Sequence, residues 1–282
     1  MATDSSGSTT GSIRLGDRNL RRLGLGTNRV TPSAEGRAIL RRAVDLGVNF
    51  IDTADVYQSG ASEQTIGEVL PGSMGDVLVA TKGGMTRSKA GFGSDGRPEH
   101  LREAVEQSLR RLRRDRIDLY QLHRVDPQTP IEESLGVLRD FQRAGRIRHL
   151  GVSNVTVAEL ERARKVVTVV SVQNRYNLGQ RENEDVLRYC EANGIVFIPW
   201  CPLQRGRLEN EPALTSIANR RGVTSSQVAL AWLLQRSPVM LPIPGTLSEK
   251  HLIENLAAAE MTLDPDEMLE LDAAPPPRAE NP

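Results

Sequence analysis

Short apolar runs alternate with longer amphipathic stretches along this chain. Eight runs have the length and the β-branched or apolar content of buried strands: LGLGT, NFIDTA, VLVATK, IDLYQLH, HLGVSN, VSVQNRYN, IVFIPW and VMLPIPG. Other stretches place apolar residues at helical spacing, which predicts helices over residues 35–46, 99–112, 131–144, 157–166, 183–192, 225–235 and 249–258. The predicted order of elements is therefore strand, helix, strand, helix.

Eight alternating units predict an α/β protein with a closed parallel barrel. A doubly wound sheet usually stops at five or six strands, whereas a (β/α)8 TIM barrel requires eight, and 282 residues is an ordinary length for one such barrel. The segment SIRL, Gly16-Asp17 and NLRRL indicates an N-terminal β-hairpin, which we expect to plug the bottom of the barrel. Extra helices are expected near the C-terminus, one of them just before the last strand.

The two ends of the chain differ in composition from the predicted barrel. Residues 1–11 are small and polar without an apolar core, so we expect a disordered tail and neither a signal peptide nor an anchor. Residues 275–282 are rich in proline, which cannot continue a helix, so we expect a loose C-terminus. A single domain is predicted over residues 12–274.

Charge and cysteine content exclude several classes of partner. Lys plus Arg and Asp plus Glu both total 36, so the net charge is zero and no long-range field favours nucleic acid or an anionic membrane. Cys190 and Cys201 are too few for a disulfide framework and lack the spacing of a metal site. We therefore expect a cytoplasmic monomer that acts on a small molecule.

Four residues suited to carbonyl reduction stand at or just past the ends of predicted strands: Asp52, Tyr57, Lys82 and His123. A phenol beside an ammonium group that is paired with a carboxylate is expected to have a lowered pKa, which suits a residue that donates and recovers a proton. Each residue alone has a structural alternative, as a core tyrosine, a helix cap or an interior imidazole. Lysine is rare in this chain, with four against thirty-two arginines, and Lys82 closes an apolar strand.

Two other kinds of site are disfavoured by spacing. LGLGT lacks the full GxGxxG pattern and the acidic residue that should follow it, so a Rossmann nucleotide site is not expected. The histidines at 100, 123, 149 and 251 are scattered, with no HxH on a strand, so a metal-dependent hydrolase is not expected.

From about Ile13 to Asp272, the chain resembles the aldo-keto reductase family, most closely its bacterial members. The resemblance is carried, in order, by FIDTADVY, ATKGG, SLRRLRRDRIDLYQLHRVDP, HLGVSN, VQNRYN, IPWCPLQRGRL and IPGTLSEKHLIENL. It implies an NAD(P)H-dependent enzyme that reduces aldehydes or ketones, with Tyr57 as general acid, Lys82 and Asp52 as the pair that tunes it, and His123 as the group that orients the carbonyl. A regulatory NADPH-binding subunit is the alternative within the same resemblance.

The resemblance also implies where the cofactor and substrate bind. The carboxamide clamp falls on Ser153, Asn154 and Gln173, and the ring that stacks on nicotinamide falls on Trp200. Cys201 replaces a frequent serine near the pyrophosphate, where the backbone from Leu203 to Gly206 is also expected to bind phosphate. The substrate rim is expected to comprise Val56, Met85 and Arg124 with Trp200, and an Arg124–Asp126 ion pair is the structural alternative for that arginine.

The segment expected to bind the adenosine 2′-phosphate departs from the family pattern. Where many members have lysine and arginine, this chain has Gly245 and His251, which leaves Thr246, Lys250 and the N-terminus of the next helix for the phosphate. Glu254 and Asn255 match residues on the adenosine side. We expect NADPH as cofactor, with NADH as a weaker alternative.

Overall fold

The computed structural model describes residues 11–71, 77–88, 91–204, 206, 208 and 211–274. The predicted N-terminal tail, apart from Gly11, and the predicted C-terminal segment lie outside these residues. Among the helices in the described ranges, none combines the length and the apolar character that a bilayer crossing requires.

Seven parallel strands form a curved sheet. They are β3 (Leu25–Gly26), β4 (Phe50–Asp52), β5 (Leu78–Gly83), β8 (Ile117–Leu122), β9 (Ile147–Ser153), β10 (Val169–Gln173) and β11 (Val196–Phe197). Each strand pairs with the one before and after it in this order, from β3 at one edge to β11 at the other. Neighbours in the sequence are therefore neighbours in the sheet, as a barrel of βα units requires.

The segment 239–244 joins the two edges of this sheet. On one side, Phe197 N–H donates to Val239 O at 2.8 Å and Leu241 N–H donates to Phe197 O at 2.9 Å. On the other side, Gly24 N–H donates to Pro242 O at 2.9 Å and Gly26 N–H donates to Pro244 O at 3.3 Å. The sheet thus closes into a (β/α)8 barrel, which confirms the predicted fold class.

This closing segment is the predicted eighth strand, but it is not a regular one. A parallel ladder would require an N–H at position 244 to donate to Gly24, and proline has none. The carbonyls of Pro242 and Pro244 therefore accept hydrogen bonds from Gly24 and Gly26, but neither proline donates one back. The predicted strand lies in the expected place, but among the described residues it forms only an isolated parallel bridge, between Met240 and Phe197.

The helices lie outside the barrel. They are α1 (Ala34–Asp45), α2 (Ala61–Val69), α3 (Pro98–Leu112), α4 (Ile131–Arg143), α5 (Val157–Val166), α6 (Glu184–Asn193), α7 (Pro212–Arg221), α8 (Ser225–Arg236), α9 (Glu249–Ala257) and α10 (Pro265–Ala273). Capping boxes at Thr156 and Thr224 fix the starts of α5 and α8. All seven predicted helices are confirmed, with ends that differ by one residue at most.

No bounds were predicted for three helices and one hairpin, although α10 is among the extra helices expected near the C-terminus. Helices α2, α7 and α10 are short and rich in small or polar residues, so their apolar spacing is weak. The hairpin of β6 (Met85–Ser88) and β7 (Gly91–Ser94) follows β5 directly and is largely exposed, so it lacks the apolar run that marks a buried strand. The hairpin lies beside the C-terminal end of the barrel, next to residues 55 and 56.

The predicted N-terminal hairpin is present as β1 (Ser12–Leu15) and β2 (Arg18–Arg21). Leu15 and Leu20 belong to an apolar cluster with barrel residues such as Phe50, Leu119 and Leu241. At its turn, Asp17 forms an ion pair with Arg148 and a hydrogen bond with the His149 ring at 2.7 Å. The hairpin therefore closes the bottom of the barrel, as predicted.

The Leu15 side chain is 0 % exposed. We expect Leu15→Ala to lower the free energy of unfolding by about 2–5 kcal/mol, because the substitution leaves a cavity at the bottom of the barrel. Leu269→Ala is the matched control, since Leu269 on α10 is 66 % exposed. Urea unfolding followed by circular dichroism measures both. Equal, small effects of the two substitutions would contradict the placement of the hairpin.

Candidate active site

A buried ion pair lies at the C-terminal end of the barrel. Strands β4 and β5 are paired side by side, with Asp52 opposite Ala80, so Asp52 and Lys82 meet where the two strands end. The Lys82 Nζ donates to Asp52 Oδ2 at 2.8 Å and to Thr53 O at 2.7 Å. The two side chains are 0 % and 1 % exposed. Burial of both charges is tolerated because each is paired and hydrogen-bonded.

Tyr57 is held against this ammonium group by a tight turn. The phenol oxygen lies 3.5 Å from Lys82 Nζ, and the same nitrogen is 5.0 Å from the ring centroid. Directly after Tyr57, Gln58 (φ 50°) and Ser59 (φ 55°) adopt the left-handed conformation, which non-glycine residues rarely do. The Gln58 Nε2 donates to Asn28 O at 3.0 Å and ties the turn to the loop after β3. Backbone strain of this kind is found mainly at functional sites.

His123 faces the same phenol from the end of β8. Its ring lies edge-on to that of Tyr57, with centroids 6.0 Å apart and an interplanar angle of 82°. The His123 backbone N–H donates to Gly83 O at 2.9 Å, which fixes the residue beside β5. Its Nδ1 is buried and has no hydrogen-bond partner among the described residues. The structure thus brings together all four residues predicted to form the reacting centre.

Burial controls the protonation of these groups. It raises the pKa of the Tyr57 phenol, and the Lys82 charge opposes this shift without reversing it. The expectation of a lowered phenol pKa was therefore wrong for the protein without ligand, because it neglected desolvation. Burial, with the nearby charges of Lys82 and Arg124, holds the pKa of His123 well below its usual range. At neutral pH the site contains a protonated phenol and a neutral imidazole.

The charge of Lys82 is maintained by its partners. Burial acts to lower the pKa of the ammonium group, but Asp52 and Tyr57 outweigh it, so the pKa of Lys82 is raised. Lys82 therefore remains a cation throughout the physiological range.

A chain of hydrogen bonds links Asp52 to Trp200. Gln173 Nε2 donates to Asp52 Oδ1 at 2.8 Å, so both oxygens of that carboxylate are occupied. Ser153 Oγ donates to Gln173 O at 2.7 Å, Asn154 Nδ2 donates to Ser153 Oγ at 3.0 Å, and Trp200 Nε1 donates to Asn154 Oδ1 at 3.1 Å. The predicted clamp residues and the predicted stacking ring are thus one connected network.

The loop after Trp200 bends sharply. Cys201 (φ 58°) and Gln204 (φ 46°) are left-handed, and Asn177 Nδ2 donates to Cys201 O at 3.0 Å. Leu203 accepts from the Gly206 N–H at 2.8 Å. The predicted phosphate-binding stretch thus forms compact turns near the mouth, but Arg205 within it lies outside the described residues.

The predicted adenosine-side residues lie at the start of α9. Ser248 caps the helix by accepting from the His251 N–H, and Thr246 Oγ1 accepts from the Ser248 N–H at 3.0 Å. Gly245 and His251 are exposed, and Asn255 is buried. Lys250 is 80 % exposed, and its Nζ lies 3.7 Å from Glu254 Oε1. An exposed cation therefore stands at a helix N-terminus, where anions are favoured.

The predicted substrate residues form one side of the mouth. Val56 and Met85 are half-buried and line a groove beside the Tyr57 turn, and Arg124 is exposed directly after His123. The proposed Arg124–Asp126 ion pair is not formed, although both residues are in the described part of the chain. Asp126 instead accepts from Gly96, Gln128 and Thr129. Arg124 is therefore not neutralised by that carboxylate.

Three features of the site were not predicted from sequence. The Thr53 carbonyl accepts from Lys82, the Arg175 guanidinium lies 5.3 Å from the Trp200 ring centroid, and the Asp55 carboxyl is largely buried beside Tyr57. A backbone carbonyl leaves no sequence signal. Asp55 could have been noticed as an acidic residue within the FIDTADVY block.

The chain matches the model of the "Aldo/keto reductase family" over residues 22–275. It is 42% identical to an uncharacterised oxidoreductase of Schizosaccharomyces pombe over 276 residues, which cover 94% of this chain and 90% of the relative. It is 36% identical to pyridoxine 4-dehydrogenase of Escherichia coli over 280 residues, which cover 94% of this chain and 98% of the relative.

Solved structures agree with these matches. A thermostable aldo-keto reductase, Tm1743, in complex with the inhibitor epalrestat is 33% identical, with a TM-score of 0.84 over 93% of this chain and 99% of that chain. An aldo/keto reductase from Klebsiella pneumoniae in complex with NADP and acetate is 30% identical, with a TM-score of 0.83 over 96% of this chain and 98% of that chain. Sequence, fold and the geometry of the site agree, and the chain belongs to the aldo/keto reductase family of oxidoreductases.

Proposed function

We propose that this protein reduces aldehydes or ketones to alcohols with NADPH, and that Tyr57 is the general acid. One observation carries the proposal: the buried ammonium of Lys82 is fixed between Asp52, Thr53 O and the Tyr57 phenol. A permanent positive charge 3.5 Å from a phenol oxygen stabilises the phenolate that remains after proton donation.

The residues divide the chemistry among them. The raised pKa of Tyr57 keeps the phenol protonated before the reaction, as a proton donor must be. The neutral His123 imidazole hydrogen-bonds the carbonyl oxygen and orients it toward the phenol. As the carbonyl carbon is reduced, its oxygen takes the Tyr57 proton, and Lys82 with Asp52 holds the resulting phenolate. Solvent returns the proton to Tyr57 after the alcohol leaves.

The chain has side chains suited to a nicotinamide dinucleotide. When bound, the reduced nicotinamide supplies the hydride. Trp200 offers a flat ring whose Nε1 is already anchored by Asn154, so the ring is preoriented for stacking. Ser153, Asn154 and Gln173 are the hydrogen-bonding groups proposed to hold the carboxamide, and a fixed carboxamide fixes which face of the ring meets the substrate.

The phosphates are assigned to two segments. The loop of Cys201, Leu203 and Gly206 is proposed for the pyrophosphate. The start of α9, with Thr246 and Lys250, is proposed for the 2′-phosphate, and Gly245, His251, Glu254 and Asn255 surround the adenosine. The NADP in the Klebsiella pneumoniae structure supports this choice of cofactor.

The purified protein should oxidise NADPH when a reactive aldehyde such as nitrobenzaldehyde is present. The loss of absorbance at the nicotinamide wavelength measures turnover across a panel of aldehydes and ketones. Measurable NADPH binding without turnover of any carbonyl would overturn the proposed activity and favour a cofactor-binding regulatory subunit.

Tyr57→Phe should lower kcat by about a hundred- to ten-thousandfold, the usual contribution of general acid–base catalysis. Cofactor affinity should not change, because the substitution removes only the phenol oxygen. Tyr189→Phe on α6 is the matched control, since Tyr189 accepts a hydrogen bond from Arg164 on the outer helical layer. Steady-state kinetics and cofactor fluorescence titration measure the two effects. Wild-type kcat in Tyr57→Phe would reject Tyr57 as the acid.

Lys250→Ala should weaken NADPH binding by about ten- to a hundredfold, the value of one charge-assisted hydrogen bond, and leave NADH binding nearly unchanged. Lys165→Ala is the control, because Lys165 is an exposed lysine on α5 beside a different cavity. Titration of Trp fluorescence with each cofactor measures the affinities. If Lys250→Ala binds both cofactors as the wild type does, the 2′-phosphate site has been misplaced.

A further inference from the structure

Asp55 lies between the parts of the reacting centre but has no role in the reaction described above. Its backbone N–H donates to Lys82 O at 3.1 Å, and two residues later the Tyr57 N–H donates to Ala54 O at 3.2 Å. The backbone of Asp55 is therefore attached both to the strand of Lys82 and to the turn of Tyr57. Asp55 therefore enters the turn of Tyr57 from a backbone position tied to the strand of Lys82.

The Asp55 carboxyl is poorly stabilised as an anion. Its Oδ1 is buried without a hydrogen-bond partner in the described residues. The two nearby cations are paired with other carboxylates. Lys82 donates to Asp52, and Arg111 donates through Nε to Glu63 at 2.7 Å. Neither forms an ion pair with Asp55, although all these residues are described.

Charged and titratable groups face Asp55 from every neighbouring element. They are Glu63 on α2, Lys82 on β5, Arg87 on β6, His100, Glu103 and Arg111 on α3, and Tyr120 on β8. Glu63 is fully buried and is fixed by Thr81 Oγ1 at 2.6 Å as well as by Arg111. Burial, and then the charge of Glu63, raise the pKa of Asp55 to about 7.

The Asp55 carboxyl can nevertheless exchange protons with solvent. It lines an open groove of about 410 Å³ together with Val56, Ser59, Met85 and the exposed face of α3. The groove is open to solvent, so the path from Asp55 to bulk water does not run through the barrel. With a pKa of about 7, Asp55 therefore changes charge within the physiological pH range, whereas Lys82 stays protonated.

We propose that Asp55 is a positioning residue whose carboxylate charge sets how readily Tyr57 releases its proton. This inference rests on the proposed role of Tyr57. A negative charge near a phenol favours its protonated form, and the charge of Asp55 acts on Tyr57 in this direction. Ionised Asp55 thus makes the phenol a weaker acid and extends to higher pH the range in which Tyr57 is protonated for carbonyl reduction. Neutral Asp55 extends to lower pH the range in which the Tyr57 phenolate can accept a proton during alcohol oxidation.

Single-turnover rates as a function of pH, in both directions, test this inference. In Asp55→Asn, loss of the negative charge should lower the pKa of Tyr57. In the pH–rate profiles, the acid limb for alcohol oxidation and the alkaline limb for carbonyl reduction should therefore both move to lower pH, by about half a unit to one unit. Asp55→Glu keeps the charge and should follow the wild type. Glu103→Gln removes an exposed carboxylate from the same groove and should shift neither limb.

Thermal unfolding gives a second readout that does not depend on turnover. Because the pKa of Asp55 is raised in the folded state, ionisation of Asp55 destabilises the fold above the unfolded-state value near 4, and this cost grows until about pH 7. Asp55→Asn should therefore raise Tm relative to the wild type more at pH 8 than at pH 5, whereas Glu103→Gln should not.

The outcomes separate the two proposals. A wild-type protein without turnover rejects the proposed function and, with it, this inference. If the wild type turns over but the pH–rate profiles of Asp55→Asn stay in place or move to higher pH, only the role of Asp55 is rejected. An Asp55→Asn protein that fails to fold, or that is less stable than the wild type at pH 8, contradicts the buried carboxyl oxygen without a hydrogen-bond partner on which the inference depends.

Discussion

The buried pair of Lys82 and Asp52 is the constraint on which the upper end of the barrel depends. An ammonium group without exposure to water is stable only if its three donors are occupied and its charge is balanced. Asp52, Thr53 O and the Tyr57 phenol supply these partners, and Gln173 occupies the other oxygen of Asp52. Because these residues come from three strands and one turn, the ends of β4, β5 and β10 must keep a fixed register.

The rest of the site follows from that fixed register. Once Gln173 is tied to Asp52, Ser153 and Asn154 are positioned by Gln173 and by each other, and Trp200 is positioned by Asn154. The ring proposed to stack on nicotinamide is therefore oriented by the same network that orients the ammonium group. A preformed network of this kind lowers the cost of ordering side chains when a ligand binds.

Sequence patterns predicted the architecture better than the electrostatics. The alternation of runs gave eight βα units because buried parallel strands and amphipathic helices have distinct periodicities, whereas α2 and the β6–β7 hairpin lack such periodicity. The four residues proposed to react could be located because Asp52, Lys82 and His123 stand at strand ends and Tyr57 lies in the turn that follows β4. The raised phenol pKa and the raised pKa of the Asp55 carboxyl could not, since both depend on burial, which the spacing of residues does not give.

The prolines in the closing segment determine where the barrel is mechanically compliant. The joint between β3 and residues 239–244 is held by N–H groups of Gly24 and Gly26 alone, since Pro242 and Pro244 return none. A joint with half a ladder yields to outward force before the complete ladders of β4, β5 and β8. Immediately after this joint, Gly245 and Thr246 begin the segment proposed for the adenosine phosphate. The segment proposed for the phosphate thus adjoins the joint that lacks proline donors, whereas Lys82 and Asp52 lie on strands joined by a regular parallel ladder.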